Sequence, residues 1–240
     1  MQKAKTVVVT GASQGIGATI VQAFVDRGYN VVATSRSMTK SRFTPSQSLV
    51  LVDGDVGDSS TAENVAEAAL SKFGSIDHLV NNAGIYAAKP FTEYSADDLR
   101  GFVSTNLDGF VFMTQIVVKQ MLAQGVEGSV TTITAALADN PIAGAPSSIP
   151  MITKGGLNAI TLSLANEYAK QHIRFNAVAP GIVNSPMHDS NPKDFLKTLS
   201  PMGTISETQD VADAVVYLAE ARYVTGEVLH VDGGAHVGRW

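Results

Sequence analysis

Short runs of β-branched and apolar residues recur along this chain, each closed by turn residues and most followed by a longer segment of helical period. That alternation leaves few folds open. Strands apolar on both faces must be covered on both sides, which is the condition of a parallel sheet held between two helical layers. Seven runs qualify, at residues 6–10, 30–35, 48–52, 77–81, 129–134, 173–178 and 227–231. Helical period occupies 15–27, 59–73, 96–123, 149–171 and 207–220, with acidic or hydroxyl residues near most starts. The stretch between the second and third strands contains Pro45 and has room for only a short helix or none. One long irregular stretch remains, 183–205, with Pro186, Pro192 and Pro201; loops of that length in a compact domain often act as lids over a site.

Composition narrows the function classes. With 240 residues, 45% of them apolar, the chain can bury a large core as one domain spanning 1–240. A formal net charge of −5, spread without a basic stripe, argues against nucleic acid or an anionic membrane as the main partner. There is no cysteine, so disulfide and thiolate chemistry are excluded and redox logic leaves the compartment open. No metal-ligand set is assigned. Met1 to Lys5 run directly into the first β-branched stretch without a long apolar segment, so a cytoplasmic protein free of the membrane is expected.

The segment Thr10-Gly11-Ala12-Ser13-Gln14-Gly15-Ile16-Gly17 joins the first strand to the first helix, where free N–H groups and the positive helix end can receive a pyrophosphate. Its spacing is Gly-x-x-x-Gly-x-Gly, which by itself also fits a tight turn. Five further signals follow in order. Asn81-Asn82-Ala83-Gly84 closes the fourth strand, Asn106 lies in the long helix after it, Lys154 sits early in another helix, and Pro180-Gly181-Ile182-Val183-Asn184-Ser185-Pro186 precedes Val231-Asp232-Gly233-Gly234. Together these motifs resemble the short-chain dehydrogenase/reductase family over nearly the whole chain. The resemblance implies an α/β, Rossmann-like, doubly wound fold with a seven-stranded parallel sheet and helices on both faces. It implies hydride transfer between a nicotinamide cofactor and a small-molecule substrate, in a homotetramer or homodimer packed through the two long helices.

Carried over by position, the resemblance puts Gly11, Gly15, Ile16 and Gly17 at the pyrophosphate, with Ser13 and Gln14 in the same loop. Asp55 and Val56 would meet the adenine, and Asn82, Ala83 and Gly84 would lie beside the adenosine ribose. Pro180, Gly181, Ile182 and Ser185 would flank the nicotinamide. Any one of Asp53, Asp55 and Asp58 could instead cap the next helix. Cofactor choice is read at the end of the second strand, where a carboxylate would bond the ribose 2′-hydroxyl and repel a 2′-phosphate. Ser35 stands there and Arg36 follows, with Ser13, Lys40 and Arg42 close in sequence. A guanidinium grips phosphate through two parallel hydrogen bonds, so NADP(H) is favoured over NAD(H), the alternative being a merely solvated arginine.

The chemistry departs from the family pattern. There a serine and a tyrosine hold the substrate carbonyl, and a lysine four residues after the tyrosine holds the nicotinamide ribose and lowers the phenol pKa from about 10. Lys154 is in place, but Pro150 occupies the tyrosine position and Ala135 the serine position. The longer spacing of enoyl reductases in the superfamily lands on Ser147, and no tyrosine occurs between Tyr94 and Tyr168. Thr134 adjoins the serine position, but a one-residue slip along a strand turns a side chain to the other face. A proline in the first turn is tolerated there, with Ser148 available as a cap. Substitute proton donors are Tyr86, two residues beyond the Asn-Asn-Ala-Gly turn, and His188 in the proline-rich stretch, although the plainer readings, pocket wall for Tyr86 and solvated loop for His188, are preferred. Asn106 matches an asparagine of the family's proton relay and can also be purely structural. Two functions follow: an oxidoreductase with an atypical active site, or a catalytically silent NADP(H)-binding sensor or assembly subunit.

Overall fold

The apolar runs do pair in parallel, in a computed structural model that describes residues 4–142, 144–189 and 191–238. Met1 to Lys3 and Ser190, which entered the N-terminal and lid readings, lie outside the described residues. The strands are β1 (Thr6–Thr10), β2 (Asn30–Ser35), β3 (Leu49–Asp53), β4 (His78–Asn81), β5 (Gly128–Ile133), β6 (Ile173–Pro180) and, near the C-terminus, β9 (Val228–Val231). They form one seven-stranded sheet in the order β3-β2-β1-β4-β5-β6-β9, every pair parallel. The doubly wound fold expected from the sequence is therefore the fold observed.

Successive side chains on a strand point to opposite faces, and the two cores follow that period. Val7, Val9, Val31 and Ala33 pack under α1 (Gly15–Asp26) and α7 (Thr208–Glu220), against Ile20, Phe24, Val211 and Val215. Val8, Val32, Leu79 and Val130 face the other way, under α2 (Ser59–Phe73) and α4 (Gly109–Gln124), against Val65, Phe73, Met113 and Val117. Asp58 caps α2 through the Ser60 amide, and Gly74 closes it in the left-handed conformation that glycine adopts without strain. Between β2 and β3 there is only a 3₁₀ turn, Met38–Lys40.

Three features differ from the sequence reading. The long helix at 96–123 is α3 (Ala96–Phe102), a six-residue π turn Val103–Asp108, and then α4. Over Ala96–Gln124 this rod reaches the length and apolarity of a membrane span, yet Met113, Val117 and Met121 are sealed in the core against α2 and the sheet. Helix α5 (Ser148–Glu167) starts one residue early: Ser147, not Ser148, is the N-cap, and its hydroxyl donates to the Ala145 carbonyl rather than to a helix amide. Pro150 is tolerated because the first α5 amide to find a helical partner is Met151, on the Ser147 carbonyl. Finally, 183–205 is not structureless. It contains β7 (Val183–Asn184), a 3₁₀ turn Pro186–His188 and α6 (Lys193–Lys197), and β7 pairs in parallel with β8 (Ser206–Glu207) to close the excursion.

Candidate active site

Chain winding reverses between β1 and β4, and a cleft of about 500 Å³ opens there, beyond the carboxyl ends of the strands. Every residue assigned to the cofactor by sequence lines this one cleft: Gly11, Ser13 to Gly17, Ser35, Arg36, Asp55, Val56, Asn82 to Gly84, Lys154, Pro180 to Ile182 and Ser185. Its floor is cross-tied. The Thr10 hydroxyl accepts the amides of Asn82 (3.1 Å) and Ala83 (3.0 Å), so the loop after β4 is held against the loop after β1. Gly11 and Gly15 have φ of +62° and +53°. A Cβ on Gly11 would lie 2.7 Å from the Ala83 Cα, and one on Gly17 would collide with the Gly11 carbonyl. Side chains are excluded where the two loops meet.

The residues present fit a dinucleotide. Helix α1 has no side-chain N-cap and no acid in its first turn, so its orphan N–H groups and positive end are left for an anion. At the adenosine end the three acids separate. The Asp53 carboxylate takes the Thr39 amide (2.7 Å) and hydroxyl (2.6 Å), which hold its pKa below the usual carboxylate range. Asp55 closes a turn on the Gly57 amide at 3.0 Å and lines the cleft, while Asp58 is the helix cap. Arg36 is exposed at the mouth and makes no ion pair among the described residues.

At the other end, Lys154 Nζ donates to the Ile133 carbonyl at 2.8 Å, and burial alone pushes its pKa down to about 8. Ala135 lines the cleft with a methyl group; Pro150 is buried and does not reach it. Thr134 also lines the cleft, but its hydroxyl donates to the Val178 carbonyl at 3.3 Å. Tyr86 and His188 both reach the cleft. Burial raises the Tyr86 phenol, partly offset by a hydrogen bond with Ser147, and burial lowers His188, which is half-buried rather than solvated.

Asn106 does not line the cleft; it is buried behind it, on the π turn. Its Oδ1 accepts the Ile85 amide at 2.9 Å, while Nδ2 donates to the Ile85 carbonyl (3.2 Å) and Thr153 Oγ1 (3.0 Å). Thr153 in turn donates to the Pro150 carbonyl at 2.8 Å. Asn106 thus fastens the segment leading to Tyr86 onto α5. The apolar wall formed by Ile85, Leu137, Ile142, Met187 and Leu199 is not identified from sequence, because these residues lie far apart in the chain and carry no motif.

A family model described as enoyl-(acyl carrier protein) reductase matches residues 11–236. The chain belongs to the short-chain dehydrogenase/reductase family and is an oxidoreductase of that type. It is 33% identical over 247 aligned residues to 3beta-hydroxysteroid dehydrogenase 1 of Eggerthella lenta, covering 97% of this chain and 94% of that protein. The crystal structure of a 3-ketoacyl-(acyl-carrier-protein) reductase from Brucella melitensis complexed with NADH superposes with a TM-score of 0.91 at 28% identity, covering 98% and 99% of the two chains. ElxO with NADP bound gives 0.87 at 29% identity, covering 98% and 100%. Structural neighbours thus carry either nicotinamide cofactor.

Proposed function

We propose that this protein is an NADP(H)-dependent oxidoreductase with an atypical active site, acting on a small molecule as one domain whose residues 183–205 serve as a lid. The observation that carries this reading is the convergence of all the sequence-assigned cofactor residues on one cleft at the sheet's switch point. The N-terminus of α1 with Gly11 to Gly17 would hold the pyrophosphate, Asp55 and Val56 the adenine, Asn82 to Gly84 the adenosine ribose, and Lys154 the nicotinamide ribose, with Pro180 to Ile182 and Ser185 flanking the ring. Bound there, the cofactor supplies a hydride. Preference for the 2′-phosphate rests on Ser35 and the unpaired Arg36, and on Asp53, whose carboxylate is bonded to Thr39 instead of facing the cleft as an acceptor for a ribose hydroxyl.

With Ala135 and Pro150 in place of two hydroxyls, substrates that need little help with their proton, iminium or quinone-like acceptors, fit better than ordinary ketones. Positioning alone can still contribute on the order of 7–11 kcal/mol. The same two residues favour a second reading, a silent NADP(H)-binding sensor or assembly subunit. Fluorescence titration with NADPH and NADH, followed by 340 nm assays over carbonyl, imine and quinone acceptors, separates them. NADPH binding with turnover supports the enzyme, binding without turnover the sensor, and no binding overturns both. A cytoplasmic location goes with use of the soluble nicotinamide pool. A homo-oligomer packed through the two long helices is supported by Ile152 and Leu162, which α5 leaves 59% and 55% exposed, and by Leu99 and Val103 beside them in the rod. Light scattering at two concentrations tests it.

A further inference from the structure

The substrate end of the cleft has one cation and no carboxylate. Among the described residues the cleft's only carboxylate is Asp55, after β3. Lys154 Nζ is bonded to Ile133 at the end of β5, four strand spacings along the sheet, or roughly 19 Å at ~4.8 Å per spacing. An ammonium has three N–H donors, and one is spent on the Ile133 carbonyl. Nothing bearing a hydroxyl stands where a catalytic phenol would, since Pro150 is withdrawn from the cleft and Ala135 offers a methyl. Leu137, Ile142 and Leu199 give the cleft an apolar stretch, beside the uncharged polar side chains of Thr134, Asn140 and Tyr86.

We infer that Lys154 is itself the proton donor of this site, and that its substrates are quinones, neutral acceptors whose oxygens become anionic on reduction. This rests on the oxidoreductase reading above. The bound reduced nicotinamide supplies the hydride. As electrons collect on the quinone oxygen, a Lys154 N–H bond breaks and an O–H bond forms, leaving a neutral amine that regains its proton from water at the cleft mouth. The quinone gains one hydride and one proton to become a hydroquinone. The match is chemical: a hydroquinone oxygen is a phenol of pKa about 10, and burial has brought Lys154 to about 8, so the transfer runs downhill. A simple alkoxide, with its charge localised on one oxygen, would also need the oxyanion donor that Ala135 does not supply, whereas a quinone spreads that charge over its ring. An iminium substrate would meet an uncompensated ammonium.

Other titratable groups on the elements around Lys154 are Tyr86 from the loop after β4, Asp108 on the π turn, Asp139 after β5, bonded to His230 at 2.9 Å, and His188 on the lid. The lysine is therefore followed directly. In the cofactor-free protein, the Lys154 ¹³Cε resonance, assigned by its loss in Lys154→Arg, is expected to titrate near pH 8 and to shift on adding a hydroquinone. In NADPH-driven quinone reduction, wild-type kcat should fall above about pH 8. Lys154→Arg keeps the charge but cannot give up a proton, so it should lose that break and about 10²–10⁴ in kcat. If the arginine variant does not fold by circular dichroism, the resonance is assigned with Lys154→Gln or by elimination among the other lysines. An ordinary lysine pKa near 10.4 overturns the inference, as does a pH break that survives Lys154→Arg and vanishes in Tyr86→Phe or His188→Asn, or preferential turnover of iminium compounds. Absence of NADPH binding would instead overturn the underlying oxidoreductase reading.

Discussion

The Asn82 side-chain amide donates to two carbonyl oxygens at once, those of Thr10 and Gly11, each at 3.0 Å. One side chain from the loop after β4 thereby holds both the end of β1 and the first residue of the glycine loop. Asn82→Ala would leave two carbonyls without that partner, at a cost of roughly 1–3 kcal/mol, and Asn82→Asp would turn an acceptor toward them and cost more. Thermal melts should show the order wild type, Ala, Asp. NADPH titration of the folded variants should show affinity falling in the same order.

Arg36 is the test of cofactor preference. Arg36→Ala is expected to weaken NADPH binding by about 10- to 100-fold, in line with losing a charge-assisted hydrogen bond worth ~1.5–3 kcal/mol, and to leave NADH binding nearly unchanged. Equal losses for both nucleotides in fluorescence titration would mean that the guanidinium does not read the 2′-phosphate.

His78 gives a pH dependence to the fold itself. It is buried at the start of β4, its Nδ1 bonded to Ser129 Oγ at 2.8 Å and its Nε2 without a partner, and desolvation pushes its pKa down to about 3. The unfolded imidazole titrates near 6.5, so between these values the unfolded chain binds the extra proton. The contribution is complete above pH 6.5 and is lost progressively as pH falls toward 3. From pH 7.5 to 5 it amounts to about 2 kcal/mol. Urea unfolding of wild type and His78→Leu at both pH values checks this, since the leucine variant should lack that part of the slope.

Ala135→Ser combined with Pro150→Tyr restores the two hydroxyls of the family pattern. Reduction of simple ketones should rise by about 10²–10⁴, measured as NADPH oxidation at 340 nm with circular dichroism as a folding control. A folded double variant with no gain would show that position 150, buried outside the cleft in wild type, does not direct a phenol to the substrate.

The parts of this site legible in the sequence are those built from contiguous residues. Thr10 to Gly17 declares itself because a strand end, a glycine turn and a helix start follow within one short segment, and the strand before it carries three consecutive valines, Val7 to Val9. The three acids at 53, 55 and 58 could not be told apart, because their roles depend on Thr39, Gly57 and Ser60, whose amides become available only when the chain turns. The pairing of Val183–Asn184 with Ser206–Glu207 was hidden for a similar reason: two-residue strands carry no period. His188 read as solvated because exposure is a property of the folded lid. Asn106 was located correctly in its helix, but its triple bonding to Ile85 and Thr153 follows from a π turn that no periodicity announces.

That π turn also holds one residue more than a plain helix would need. Its bonds reach five residues along the chain where those of an α-helix reach four, so removing one residue between Val103 and Asp108 would let α3 run into α4 as a regular helix. Met113, Val117 and Met121 would keep their places on the core side, while Asn106 would lose the turn that aims it at Ile85 and Thr153. The surplus residue therefore serves the site and not the core: a deletion here would leave a helix that packs but no longer fastens the segment leading to Tyr86.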